Sequence, residues 1–294
     1  MNNKVSIKRK KKIKFGQIGL HTFYVLTSLT YILPLLLMVS ISVSGKEITK
    51  YKFIPDEVSL FAYELIFKKP EQLLKAYGVT AFYCIAGVIL GISIMAMCAY
   101  ALSRRNFVLR GALNKFMLVS ILFSGGTIPT YILISKYFHM NETIWVYIIP
   151  WLVSTWTIIL MKTFFMNLPN ELFEAARIDG ASELRICFNI AMPLSTPIIV
   201  TQAYAKFLGG WNDWKTCSIY IRKNLDLWSL QFLVKQYMDK SDMTASLYMA
   251  AQGGGMTDTA NYVSMHETVM FAMAIMGIGP AFLVFPLIQK HYEK

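Results

Sequence analysis

Residues 79–102 read VTAFYCIAGVILGISIMAMCAYAL, 24 consecutive positions without a charged side chain. A helix rises 1.5 Å per residue, so a run of this length covers the roughly 30 Å of hydrocarbon in a bilayer. Working outward, charge-free runs recur at Thr22–Val43, Phe116–Ser135, Thr143–Met161 and Thr268–Gln289. A sixth run, about 190–211, is interrupted only by Lys206. Helices in the core of a soluble protein show a polar stripe, and these runs leave little room for one. The pattern predicts an all-α, polytopic membrane protein with six transmembrane helices, over about 22–43, 79–102, 116–135, 143–161, 190–211 and 268–289. Lys206 is expected near one end of its span, with its stem snorkelling to the interface. The first run is longer than the ~7–15 apolar residues of a signal peptide, so it is expected to be retained.

Composition agrees. Of 294 residues, 55% are hydrophobic and only 16% charged, against about 25% charged in an average soluble domain. The net charge is still +12, and its placement carries the meaning. Residues 1–19 form a basic tail with seven Lys or Arg and no acid, and the loop after the second span holds Arg104, Arg105, Arg110 and Lys115, again with no acid. Lys and Arg in short loops mark the cytoplasmic side, so both termini are expected to be cytoplasmic and the chain to lie in the cell membrane. On that topology the cytoplasmic segments carry +11 of the total. The charge therefore reports orientation, not a nucleic-acid partner; the tail itself is either a disordered arm or a contact with membrane lipid.

No catalytic constellation is visible. His21, His139, His266 and His291 are dispersed, and Cys84, Cys98, Cys187 and Cys217 form neither a disulfide framework nor a zinc-ligand spacing. The tip Gln252–Gly255 lacks the lysine and strand-to-helix context of a phosphate loop, so neither a cofactor nor a metal is expected in this chain. Proton-relay carboxylates are missing from the spans. Ser124-Gly125-Gly126-Thr127 is the expected polar break of span three, facing a channel. Tyr131, Trp145, Trp151 and Trp156 either pack or offer stacking faces. Trp211, Asn212 and Trp214, at the start of the outer loop 212–267, either anchor at the headgroup level or line an outer vestibule. Leu60, Tyr63, Ile66 and Phe67 share a helical spacing that suggests a short interfacial helix.

The most informative segment is the cytoplasmic loop 162–189, together with the entry to the fifth span. Asn167–Pro193 reads NLPNELFEAARIDGASELRICFNIAMP. Pro169 suits a first helical turn, Glu171 and Glu174 favour its dipole, and Leu172, Phe173 and Ala176 form an apolar face. Gly180 is placed to end the helix in a left-handed conformation, and Ser182 to cap a second one. Such a hairpin either lies flat on lipid or docks a protein; the mixed-charge rim of Arg177, Asp179, Glu183 and Arg185 suits a protein.

Glu174-Ala175-Ala176, three residues, Gly180, nine residues, Ile190, one residue, Met192-Pro193 resembles the EAA loop of ABC importer permeases, with Met192 at the usual Leu. The likeness extends over about residues 20–290, so 20–294 reads as the permease domain. Arg177–Ser182, Trp211-Asn212-x-Trp214 and Leu227-Trp228-x-Leu230-Gln231 are similar to the maltose-type carbohydrate branch, above all to permeases for complex or acidic oligosaccharides. The resemblance implies the type I ABC importer permease fold. It also implies a coupling helix bearing Glu174, Ala175, Ala176, Arg177, Asp179 and Gly180, and a substrate path for which Ser124, Thr127, Tyr131, Trp211, Asn212 and Trp214 are candidates. The implied partners are a second homologous permease, two cytoplasmic ATPases that carry ATP and Mg, and an extracellular solute-binding protein. An ion-coupled secondary transporter, or a membrane enzyme or assembly factor with a docking helix, is the alternative.

Overall fold

The structure is a computed structural model, and it describes residues 15–45, 52–55, 57–67, 70–239 and 256–289. Lys4 to Lys14 of the basic tail, the Gln252–Gly255 tip and the segment Lys290–Lys294 lie outside the described residues. Those that are described are mostly helical, with connecting turns and one isolated antiparallel bridge, Ser44 to Val58. They divide into two units, one within 1–65 and 247–275, the other within 66–246 and 276–294.

In the first unit, α1 (Phe15–Ser42) is long and apolar enough to cross a membrane, and only 17% of its most apolar window is buried. Its C-terminal end is tied locally: Ser40 Oγ donates to the Lys52 carbonyl at 2.8 Å, and the Ser42 and Tyr63 hydroxyls meet at 3.0 Å. A short helix comes next, α2 (Phe61–Ile66). Its buried positions are Ala62 and Ile66, while Leu60 and Phe67 stay exposed, so the spacing locates the helix but not its packed face.

The second unit is organised by α3 (Pro70–Ser103), an unbroken helix of 34 residues. Next come α4 (Arg110–Leu122), α5 (Thr127–Ile132) with a π turn at Leu133–Tyr137, and α6 (Trp145–Ile148) with a 3-10 turn at Ile149–Trp151. The chain continues through α7 (Thr155–Met166), α8 (Asn170–Ile178), α9 (Glu183–Ile186), a π turn at Cys187–Ala191 and α10 (Met192–Leu194). It ends with α11 (Thr196–Trp211), α12 (Lys215–Tyr220), α13 (residues 230–239) and α14 (Met256–Gln289), which runs through both units. Helix α3 packs against α7 and α11. One core gathers Met95, Ala96, Ala99 and Tyr100 of α3 with Met161 and Phe165 of α7, Phe173 and Ala176 of α8, and Ile186 and Ala191 beyond.

Each of the six apolar runs falls mostly on helix, but three are broken by a bend. The turn between α4 and α5 is 113°, that before α7 is 46°, and the chain turns 87° between Glu183–Leu194 and α11. Gly126, at φ +82 and ψ −178, occupies a region open essentially only to glycine, and this makes the first bend. The third bend falls at Ser195, so the straight part of the fifth run begins at Thr196 and not near 190. The last helix begins at Met256, twelve residues ahead of the charge-free run that marks it in the sequence.

A notch of small residues receives the Trp151 ring. A Cβ on Gly210 would lie 2.6 Å from the Trp151 ring, and one on Gly87 would lie 3.0 Å from it. Gly210→Ala is therefore expected to destabilise by about 1–3 kcal/mol through overpacking, whereas Gly111→Ala, in a helix with nothing within 4 Å, is expected to be neutral or to stabilise by up to about 1 kcal/mol. Thermal unfolding in detergent measures both.

Candidate functional site

The α8–α9 hairpin is built as its residues dictate. Helix α8 begins after Pro169, its first turn carries Glu171, and it ends where Gly180 takes φ +78. The Gly180 N–H donates to the Arg177 carbonyl and the Ala181 N–H to that of Ala176, closing the last turn. Ser182 Oγ then accepts from the Arg185 N–H at 3.3 Å and caps α9. The face turned inward consists of Phe173 and Ala176. Leu172, expected on that face, is 43% exposed. It joins Glu171, Glu174, Ala175, Ile178, Asp179 and Gly180 on the outer side, all exposed, with Ile178 at 87%.

An arginine outside the motif holds the hairpin against α3. The Arg104 guanidinium lies 3.9 Å from the centre of the Phe173 ring and 5.0 Å from that of Tyr100. It donates to the Phe165 carbonyl at 3.1 Å and, through Nε, to Ser103 Oγ at 2.9 Å. Beside it Glu183 accepts twice: from Tyr100 OH at 2.6 Å on Oε2 and from Arg177 Nε at 2.7 Å on Oε1. The charged contact with Arg177 holds the Glu183 carboxyl below its usual value, and the Tyr100 hydrogen bond adds to this against the cost of desolvation. Arg177 is raised by the same pairing. Two planar cations and one carboxylate thus clamp the end of α3 to the turn, and a cavity of about 520 Å³ opens between Met97, Arg104, Phe107 and Leu184. Arg104 comes directly after the second apolar run, but nothing in the local pattern shows that it would stack on Phe173.

The candidates for a path fall in three places. Ser124 and Thr127 flank the Gly126 bend; Ser124 Oγ accepts from the Gly126 N–H, and both residues are exposed. Tyr131 stacks on Tyr220 at 5.7 Å. The Trp211 indole is buried, packed on Phe207, with its N–H donating to the Gly277 carbonyl at 2.8 Å. Asn212 and Trp214 line a cavity of about 410 Å³, whose wall also includes Tyr83, Tyr147, Trp151, Gly209 and Asp213. Tyr83 and Tyr147 stack there at 4.4 Å, and Asn212 Oδ1 accepts from Gln231 Nε2 at 3.4 Å. Lys206 does not snorkel. It folds over the Trp151 ring, 3.9 Å from its centre, and donates to the Trp151 carbonyl.

A second clasp ties two connecting segments. Glu142, at φ +58, accepts from the N–H groups of Arg222, Lys223 and Asn224. Desolvation works against its carboxylate, but the three backbone donors together outweigh it and lower its pKa.

Residues 13–294 match the family described as the binding-protein-dependent transport system inner membrane component. The chain belongs to that family. It is a permease subunit of an ABC importer, not an enzyme, and ATP hydrolysis belongs to separate subunits. Such an importer also includes a partner permease and a solute-binding protein. Over 266 residues the permease is 34% identical to Protein LplC of Bacillus subtilis (strain 168), covering 90% of this chain and 86% of that one. It is 31% identical over 279 residues to the polygalacturonan/rhamnogalacturonan transport system permease protein YtcP of the same organism, covering 94% of each. Its fold matches a solved bacterial ABC transporter involved in the import of the acidic polysaccharide alginate, with a TM-score of 0.78 at 23% identity, over 94% of this chain and 95% of that one.

In the permease, the Glu183 contacts make a pH prediction with a definite sign. A carboxyl whose pKa is lowered on folding stabilises above its unfolded value, 4.5, and loses that contribution as pH falls through its lowered folded value. Melting temperature from about pH 6 to about pH 3 should fall less steeply in Glu183→Gln than in the wild type. Equal slopes would show that the clamp does not contribute.

Proposed function

We propose that this permease, with a second homologous permease, forms the membrane path for a complex or acidic oligosaccharide, and that the Glu174–Gly180 segment of α8 couples it to two cytoplasmic ATPases. The observation that carries the coupling role is the division of α8 into two faces. Phe173 and Ala176 are turned inward, Phe173 beneath Arg104, while Glu174, Ala175, Ile178 and Asp179 stand exposed on the outside. A rigid, mixed apolar and acidic surface held by its back is suited to transmit a push from a docked partner. The left-handed Gly180 fixes the angle at which α9 leaves, and so the path from that surface to the 87° bend before α11.

On this reading both termini are cytoplasmic, 212–267 faces outward toward the binding protein, and Ser124, Thr127, Tyr131, Trp211, Asn212 and Trp214 belong to or support the path. Asn212 and Trp214 have the strongest support, because they line a cavity whose wall also carries the polar residues Asp213, Lys215 and Thr216. The relative named for polygalacturonan and rhamnogalacturonan transport supports an acidic oligosaccharide.

Glu174→Lys combined with Gly180→Val is expected to abolish ATP-dependent uptake and uncouple ATPase stimulation by the binding protein, with membrane insertion unchanged. Normal uptake in that double variant would sink the coupling role, and ATP-independent uptake by this chain alone in vesicles would favour a secondary transporter. For topology, Asn106→Cys in a background lacking Cys98 should react with an impermeant thiol reagent only after the membrane is opened. Ready labelling from outside would reverse the orientation.

A further inference from the structure

Lys206 is the ionisable residue within the fifth apolar run, and such a residue inside a membrane is a functional candidate by default. It is half-buried, five residues before the end of α11. Its ammonium meets the Trp151 carbonyl and the face of the Trp151 ring. Among the described residues it makes no ion pair, since the pairs formed there join Lys75 to Asp226, Arg177 to Glu183 and Lys235 to Asp239. The next acid along the chain, Asp213, is engaged in capping: its Oδ1 accepts from the Thr216 N–H at 3.0 Å.

Space has been kept for this cation. A Cβ on Gly91 would lie 2.5 Å from Lys206 Cε and 2.8 Å from the Leu152 carbonyl, so α3 carries no side chain where the lysine lies. Residues three and four apart share a helix face, which places Lys206 one turn below Gly209 and Gly210, both in the wall of the 410 Å³ cavity. Trp151 belongs to that same wall and is the residue Lys206 covers. Lys206 is not itself in that wall, whose own charged residues are Asp213 and Lys215; it lies against Trp151, with that residue's ring and carbonyl for company.

We propose that Lys206 is a specificity-determining residue that receives a carboxylate of the cargo as it passes Trp151, selecting acidic over neutral oligosaccharides. The inference rests on the oligosaccharide reading above. A carboxylate offers a planar, charged acceptor in a poorly hydrated setting, where a charge-assisted hydrogen bond is roughly twice as strong as a neutral one. A purely structural lysine, present only to satisfy the carbonyl freed at the α6–α7 break, would affect every cargo alike.

The test uses the complete importer in proteoliposomes, with its partner permease, ATPases and binding protein, and two probes of equal length: trigalacturonate and its neutral methyl ester. ATP-dependent uptake of each is measured for wild type, Lys206→Met and Lys206→Arg. The expected result is a loss on the order of tenfold in the acid-to-ester uptake ratio for Lys206→Met, with the ratio retained in Lys206→Arg. An unchanged ratio in Lys206→Met, whether both rates fall together or neither does, would overturn the proposal. Wild-type uptake of the ester but not the acid would also overturn it, while leaving the importer reading intact. ATP-dependent uptake of neither probe by the wild type would overturn the oligosaccharide reading itself, and this inference with it.

Discussion

Inside hydrocarbon a backbone N–H or C=O has no water to turn to, and this constraint governs where the helices are permitted to break. At the first bend Thr130 Oγ1 donates to the Gly126 carbonyl at 2.8 Å while Ser124 Oγ takes the Gly126 N–H. At the second, Ser154 Oγ accepts from the Thr157 N–H, the Ser154 N–H points to Met95 Sδ, and Lys206 takes the Trp151 carbonyl. At the third, the Ser195 N–H is shared between the Ala191 and Met192 carbonyls, and Thr196 Oγ1 donates to the Pro193 carbonyl at 2.6 Å. Each bend thus carries its own small polar side chains. Serine and threonine beside glycine or proline in an apolar run mark a joint whose freed groups are already provided for.

Those joints explain what is legible in the sequence. Charge-free runs locate helices because only helices and closed barrels satisfy the backbone within a membrane, and each of the six runs does fall mostly on helix. The punctuation of the hairpin is legible too: Gly180 and Ser182 act through their own backbone geometry and their nearest neighbours, which a one-dimensional pattern contains. Bend angles are not legible. A run of apolar residues looks the same whether it is straight or turned by 87°, and the fifth run reads as starting at 190 although its straight part starts at 196.

Side-chain roles that depend on partners distant in the chain are also out of reach. Leu172 reads as no less buried than Phe173, because both lie on the apolar half of α8; what separates them is Arg104, which covers only Phe173. Lys206 reads as an end-of-helix residue because snorkelling is the usual answer to a charge in a span, and the glycine that makes room for it lies 115 positions earlier. Trp211, Asn212 and Trp214 form one motif in the sequence, yet the first is a buried strut and the other two line a cavity.

The unbroken length of α3 has a mechanical consequence. Tyr83 lines the 410 Å³ cavity, and Tyr100 holds the hairpin through Glu183. They lie on one helix, about 26 Å apart along its axis at 1.5 Å per residue. Between them α3 contains neither proline nor a bend. A rod of this kind does not shorten or swivel in its middle. A tilt or a slide of the whole helix would therefore move the hairpin end and the cavity end together.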